Sequence, residues 1–261
     1  MNLAERRWNL PAWLGAVLAL GVCGAARAGD PDALWKIVGG QCVPGALAGH
    51  GPAPCIAVSM PKGPGAGFAV LKDRDGATQF LLIPTARITG IESPALLAPG
   101  APNYFQAAWT ARRYVIQRAG VALPRQDVGL AINSAKGRSQ NQLHIHVDCV
   151  EPRVRQALHD QETRIGGRFS AERIDFDGHA YRVMKILGAD LGRVNPFTVV
   201  ADALPGARGD MGDQTLIVIG ARFKDGRDGF YLLEDQANFL LGDRASGAEV
   251  LDHACKVKSA P

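Results

Sequence analysis

The chain has 261 residues, of which 47% are hydrophobic and 21% are charged, and this composition excludes extensive disorder. At roughly 150 residues per domain, the length allows one large domain or two small ones. The 29 basic and 25 acidic side chains leave a formal net charge of only +4, which is far from the strongly basic character of nucleic-acid-binding domains. We therefore expect no nucleic-acid partner.

The beginning of the chain, residues 1–28, has the features of an export signal. Arg6 and Arg7 precede an uncharged stretch at 10–26, and Ala26-Arg27-Ala28 is a typical cleavage site. Cleavage after Ala28 predicts a soluble periplasmic protein. Retention predicts a single-pass anchor in the inner membrane with a periplasmic body, because about 17 apolar residues are the lower limit for a span. Both outcomes stay open.

Cysteine usage agrees with export to an oxidising compartment. Removal of the leader leaves Cys42, Cys55, Cys149 and Cys255, an even number that allows three pairings. Because Cys42 and Cys55 bracket a short loop, we expect a bridge between them and a second bridge from Cys149 to Cys255. A zinc site is the alternative use of these cysteines, but the chain has no CxxC pair.

The hydrophobic pattern predicts a mixed α+β fold. In chain order we expect a helix at 33–38, a loop at 39–67, strands at 68–72 and 79–83 joined by an Asp-Gly turn, a helix at 103–119 stopped by Gly120, and strands at 128–132 and 143–150. We then expect a helix at 154–163, a strand at 181–186, and strands at 215–223 and 230–233. The second hairpin echoes the first, so we predict a catalytic half at 29–152 and a second α+β lobe at 153–261 packed on it.

Candidate chemistry lies in the predicted strand around His144 and His146. Period-two alternation places Gln142, His144, His146 and Asp148 on one face, with neighbours about 7 Å apart. Two imidazoles at this spacing can act on one phosphate group, one as the nucleophile and the other as a proton or hydrogen-bond donor. The alternative is a periplasmic metal-dependent hydrolase or metal-binding module in which His144, His146 and Asp148 are the ligands.

The same segment resembles the histidine-triad superfamily of nucleotide hydrolases and transferases. The similar features are Asn133, a glycine-containing loop, Gln140 and the alternating histidine strand, together with the strand at 80–84 and the following Arg87. Within that superfamily the chain resembles the bacterial CDP-diacylglycerol pyrophosphatase family. The residues that carry this closer resemblance are 35–38, 42–44, 54–55, 70–73, 79–94, 102–105, 133–134, 138–149, 252–253 and 255.

The resemblance implies a histidine-triad-like antiparallel sheet with flanking helices. It also implies hydrolysis of the liponucleotide CDP-diacylglycerol to CMP and phosphatidate, in phospholipid metabolism at a membrane surface, without a metal or other cofactor. In the superfamily a strand histidine attacks the α-phosphate and forms a nucleotidyl-histidine. An ungapped comparison on Asn133 and Gln140 makes His146 the nucleophile, and we prefer it. A shift by two residues makes His144 the nucleophile.

Further side chains are expected to bind the substrate. Lys72, Arg87 and Arg138 are the candidate cations for the diphosphate, and Asn133, Ser139, Gln140 and Gln142 are candidates for phosphate or ribose. We expect Tyr104, Phe105 and Trp109 in a helix core, and His253 as a surface residue rather than an aid from the second lobe. His50, His159 and His179 carry no functional signal. Other readings are a broader nucleoside-diphosphate hydrolase and a non-catalytic carrier of lipid or nucleotide.

Overall fold

The fold is built on one antiparallel sheet. The computed structural model describes residues 29–176, 178–238, 240 and 242–259. The predicted leader at 1–28 lies outside the described residues. No helix of the described part is long and apolar enough to cross a bilayer. The α-helices are α1 (Ala33–Ile37), α2 (Val43–Leu47), α3 (Tyr104–Ala119), α4 (Pro152–Asp160) and α5 (Pro196–Ala203).

The strands agree with the predicted mixed α+β class. Their order in the sheet is β1-β2-β3-β5-β4-β8-β9-β7-β6, and β10 pairs with β5 on the edge that also holds β3. The strands are β1 (Ala57–Ser59), β2 (Phe68–Lys72), β3 (Phe80–Pro84), β4 (Val128–Ile132), β5 (Ile145–Val150), β6 (Ile174–Phe176), β7 (His179–Leu187), β8 (Gln214–Arg222), β9 (Asp228–Gln236) and β10 (Leu251–Asp252).

The pairing of β4 with β8 joins the strands before residue 152 to those after it. Gly129 pairs with Ile219 and Ile132 with Leu216, so strands of both expected halves belong to one sheet. The division at 152–153 stays a prediction.

Helix α3 covers one face of the sheet. Asn103 caps its first turn by accepting a hydrogen bond from the backbone N–H of Gln106, and Gly120 ends it in the left-handed region at φ 74°. The predicted helix core is confirmed, because Tyr104, Phe105 and Trp109 are buried in the main hydrophobic cluster. The alternate residues of β5 face this cluster, which leaves the remaining β5 side chains on the opposite face.

Two separate apolar clusters cover the opposite face. In one cluster α1 and α2 pack on β2 and β3. In the other α4 packs on the neighbouring strands β4, β8, β9 and β7. His146 and Asp148 project from β5 between these clusters, opposite Ile145 and Val147 of the α3 face. The polar side chains of β5 therefore lie between the two apolar clusters, where no helix of the described residues packs directly on them.

Both expected disulfides are present. Cys42 is bonded to Cys55 across 13 residues, and Cys149 is bonded to Cys255 across 106 residues. The first bridge joins the turn between α1 and α2 to the segment before β1. The second fastens the C-terminal segment to the central strand β5.

The predicted loop at 39–67 is wrong over its first part, because a π-helical turn at Val38–Cys42 carries α1 directly into α2. Gly39 and Gly40 weaken a helix by propensity, yet Gly39 lies against the indole of Trp35, where a Cβ would come within 2.7 Å. Close packing thus overrides propensity. The strands β1, β6 and β10 and the helix α5 were not predicted, and the strand expected at 143–150 begins at Ile145.

Candidate active site

Two histidines lie side by side where the chain enters β5. The ring centroids of His144 and His146 are 5.0 Å apart, with the planes inclined at 71°. Nδ1 of His144 lies 2.8 Å from the backbone carbonyl oxygen of Gln142. Because a carbonyl oxygen only accepts, Nδ1 carries the proton and Nε2 keeps its lone pair.

His146 has a different environment. Within the described part of the chain, neither of its ring nitrogens has a hydrogen-bond partner, although both are buried. The nearest acidic group is Asp73, whose Oδ2 lies 3.9 Å from Nδ1 of His146. Such unsatisfied polar atoms are uncommon in a folded interior and are typical of functional sites.

Burial sets the charge of both rings. It is the main cause that lowers the pKa of His144 below its usual 6.5. Burial also lowers the pKa of His146 well below 6.5, and the charges of the nearby His144 and His253 lower it further. Both imidazoles are therefore neutral at pH 7, which is the form that can attack phosphorus or accept a proton.

The histidine pair opens into a two-sided pocket of about 400 Å³. Its polar lining residues are the two histidines, Lys72, Asp73, Arg74, Asp75, Ser139 and Gln140, and its apolar lining residues are Ala33, Leu34, Ile37, Pro54, Leu71 and Leu81. This division suits a ligand with a charged part and a hydrocarbon part.

Three of the predicted substrate residues line this pocket. Nζ of Lys72 donates to the carbonyl oxygens of Asp73 at 2.6 Å and Gly76 at 2.8 Å, so the ammonium also fixes the turn between β2 and β3. Ser139 lies at the pocket wall. Gln140 accepts from the backbone N–H of Leu34 at 3.0 Å, and its amide therefore holds the start of α1.

A smaller cavity beside His144 brings together three other predicted residues, Asn133, Arg138 and Gln142. Arg138 donates to both carboxylate oxygens of Glu92, at 2.5 and 2.8 Å, and its side chain is only 10% exposed. Asn133 accepts from the backbone N–H of Ala248 at 3.1 Å. The cavity wall is thus stabilised by contacts inside the protein.

Gln142 and Arg87 have other contacts. The fully buried Gln142 donates to the carbonyl oxygens of Pro84 at 3.1 Å and Ala86 at 2.9 Å. Arg87 pairs with Asp32 at 2.6 Å and does not line the pocket of the histidine pair. The structure therefore does not bring Arg87 to the other candidate residues, and its role in substrate binding stays a prediction.

Asp148 and His253 form a pair next to the histidines. Oδ2 of the fully buried Asp148 lies 3.1 Å from Nδ1 of His253, and Oδ1 accepts from Thr78 Oγ1 at 2.6 Å. The hydrogen bond to Asp148 is the main cause that raises the pKa of His253. The expectation that His253 is a surface residue is confirmed, because its side chain is 44% exposed, but its contact with Asp148 was not predicted. The sequence feature that indicates this contact is the position of His253 two residues before Cys255, since the expected partner Cys149 directly follows Asp148.

The sequence profile of the CDP-diacylglycerol pyrophosphatase family matches residues 29–259. The chain belongs to this family. It is 41% identical over 256 residues to the CDP-diacylglycerol pyrophosphatase of Yersinia pestis, with 98% of this chain and 96% of the relative covered. The family resemblance seen in the sequence is thereby confirmed.

Within this CDP-diacylglycerol pyrophosphatase family member, the alternative metal site at His144, His146 and Asp148 is not favoured. Donor atoms of these three side chains do not all lie within 4.8 Å of one another. The Asp148 carboxylate is instead occupied by Thr78 and His253. The geometry thus separates the two imidazoles from the carboxylate that the metal hypothesis requires.

Proposed function

We propose that the chain hydrolyses the pyrophosphate bond of CDP-diacylglycerol to CMP and phosphatidate through a nucleotidyl-histidine. Membership of the CDP-diacylglycerol pyrophosphatase family supports the substrate and the reaction. The observation that supports the histidine route is a pair of neutral imidazoles, 5.0 Å apart, at the polar side of a two-sided pocket. This geometry provides a nucleophile and a second proton-transfer group for one phosphate.

His144 is the nucleophile in this proposal. The hydrogen bond from Nδ1 to the carbonyl of Gln142 fixes the tautomer that leaves the lone pair on Nε2, and the buried ring stays unprotonated. We therefore prefer His144 to His146, which the ungapped comparison indicates. A bond forms between Nε2 and the α-phosphorus while the bond from that phosphorus to the bridging oxygen breaks, and phosphatidate leaves with the electron pair.

His146 serves the second step. Its neutral ring lies beside His144, and neither ring nitrogen has a hydrogen-bond partner among the described residues. One nitrogen can therefore accept the proton of the attacking water. The water oxygen then bonds to phosphorus, the N–P bond breaks, and CMP leaves with the His144 ring neutral again. Asp148 holds His253, whose positive charge keeps the pKa of His146 low. These two are positioning residues.

The pocket walls divide the substrate by polarity. Lys72, Ser139 and Gln140 face the phosphate region, and Arg138 supports the loop beside His144 from its pair with Glu92. The apolar wall formed by α1 and Leu81 suits the diacylglycerol part.

Architecture and location complete the proposal. The antiparallel strands around the β5 histidines support a histidine-triad-like fold, with a catalytic half at 29–152 and a C-terminal half at 153–261. Two disulfides support export to an oxidising compartment. A lipid-linked substrate supports the proposal that the enzyme acts at a membrane surface.

The direct test is release of CMP from CDP-diacylglycerol by the purified full chain and its variants. We expect H144Q to lose at least about 10³-fold in kcat/KM and H146Q about 10²–10⁴-fold. The matched control is H159Q, because His159 is exposed on α4, and it should keep wild-type activity. Full activity in H144Q would overturn the histidine mechanism.

Metal dependence and the site of attack are tested in the same assay. We expect release to survive EDTA, and water labelled with ¹⁸O to place its label in CMP. Inhibition by EDTA that added metal reverses, together with metal binding that is lost in H144Q/H146Q, would return His144 and His146 to the metal hypothesis. Label in phosphatidate would place the attack on the other phosphorus. Binding without turnover by folded protein would support the carrier.

A further inference from the structure

A second ionisable cluster lies on the same sheet face as His146, toward the β7 end. His179 begins β7, Asp235 is near the end of β9, and Asp243 and Glu249 lie in the segment that follows β9. Nδ1 of His179 is 2.9 Å from Oδ1 of Asp243 and 3.4 Å from Oδ2 of Asp235. One donor atom from each of these three residues lies within 4.8 Å of the other two.

The other ring nitrogen of His179 faces a different carboxylate. Nε2 lies 3.0 Å from Oε2 of Glu249, whose side chain is 49% exposed. A proton on Nε2 would be donated to this oxygen, and the lone pair of Nδ1 would then point toward Asp235 and Asp243. This is the carboxylate–histidine arrangement that orients imidazole ligands in metal sites.

Two buried polar atoms of the cluster, Oδ2 of Asp235 and Nδ1 of His179, lack a well-formed hydrogen bond in the described part of the chain. Asp235 is 2% exposed, and its Oδ2 has no hydrogen-bond partner within the described part of the chain. Nδ1 of His179 forms no hydrogen bond of good geometry there, despite its short distance to Asp243. Burial lowers the pKa of His179, but the nearby carboxylates of Asp243, Glu249 and Asp235 raise it on balance, so a proton on Nδ1 is the occupant that competes with a metal ion. Arg173 reaches only the other oxygen of Asp235, Oδ1, at 3.9 Å. Unsatisfied buried acceptors that converge on one point require a cation or a proton between them.

We propose that His179 Nδ1, Asp235 and Asp243 bind a divalent transition-metal ion, and that Glu249 orients His179 from outside the ligand shell. One imidazole nitrogen with two carboxylate oxygens suits Zn²⁺ and related first-row ions. Ca²⁺ and Mg²⁺ prefer ligand sets made of oxygen alone. The site is separate from the proposed hydrolytic centre.

The ion would have a structural role, because it lies too far from the histidine pair to take part in hydrolysis. β7 lies four strand positions from β5 in the sheet order, about 19 Å at the usual strand spacing. Asp243 and Glu249 flank backbone groups that contact the loop after β4, since Ser134 donates to the carbonyl of Arg244 and Ala248 donates to Asn133. A metal ion would therefore tie this segment to the sheet.

Calorimetric titration of chelator-treated full chain with Zn²⁺ tests the proposal. We expect one equivalent to bind, binding to be lost in D235N and D243N, and affinity to fall about 10- to 100-fold in E249Q. The matched control is D202N, because Asp202 is an exposed carboxylate on α5 that pairs only with Arg208 among the described contacts. The double variant H144Q/H146Q should bind like the wild type, and Ca²⁺ should bind more weakly.

A wild-type measurement keeps the test valid if a variant fails to fold. Zn²⁺ should shift the imidazole ¹⁵N resonance of His179 Nδ1 and raise the Tm by several degrees at saturation. Absence of binding, with His179 Nδ1 protonated, would identify an ordinary imidazolium–carboxylate cluster and overturn the proposal. Binding that disappears in H144Q/H146Q but persists in D235N would also overturn it, because the ion would then sit at the histidine pair.

Discussion

Removal of the Cys149–Cys255 disulfide should destabilise the protein more than removal of the Cys42–Cys55 disulfide. The two bridges span 106 and 13 residues. In the chain-entropy description, a bridge stabilises by about 4.7 kcal/mol when it closes a loop of about 100 residues and by about 3 kcal/mol for about 15 residues. We therefore expect C149A/C255A to lower the free energy of unfolding by about 1.5–2 kcal/mol more than C42A/C55A.

Urea titration followed by circular dichroism measures both variants, with the full chain as reference. We expect H253A to lose activity, because His253 keeps the pKa of His146 low. The C149A/C255A variant should lose activity to the same extent, because the bridge fastens the segment that brings His253 to Asp148. The C42A/C55A variant should not reproduce that loss. Equal destabilisation by the two double variants, or full activity without the Cys149–Cys255 bridge, would refute the reasoning.

Three other predictions concern the residues around the histidine pair. Q142A should lower the free energy of unfolding by about 1–3 kcal/mol in urea titrations, because two backbone carbonyls lose their buried donor; an unchanged midpoint would contradict this. The lowered pKa values of His144 and His146 predict stability that is present above pH 6.5 and lost as pH falls below it, and H144Q/H146Q should show less of this acid loss in the same titrations. R138K should lower the free energy of unfolding by about 1–3 kcal/mol in the same titrations, because lysine cannot form the bidentate pair with Glu92. E92Q in an R138K background should lower it little further.

Local signals in the sequence were sufficient for much of the fold. The alternation around Ile145 predicts the buried and polar faces of β5, and the structure has them. Asn103 and Gly120 bound α3 because their capping interactions involve only neighbouring residues. The cysteine pairing also followed from a short-range argument, since Cys42 and Cys55 flank one loop.

Long-range contacts account for what the sequence did not predict. His253 lies 105 residues from Asp148, and only the pairing of β10 with β5 brings them together. The cluster at His179 and Asp235 likewise depends on the β7–β9 register, for which single-strand periodicity carries no information. The hydrogen bond that distinguishes His144 from His146 depends on backbone geometry at the start of β5, whereas the two residues have the same type in sequence.

Trapping of the covalent intermediate tests the central claim most directly. Full chain turning over CDP-diacylglycerol is quenched rapidly in alkali, digested, and examined by tandem mass spectrometry that locates the adduct. We predict a cytidylyl group on His144, which accumulates in H146Q because release by water is slowed, and which is absent in H144Q. An adduct on His146 alone, or hydrolysis that continues at the wild-type rate in H144Q, would contradict the account.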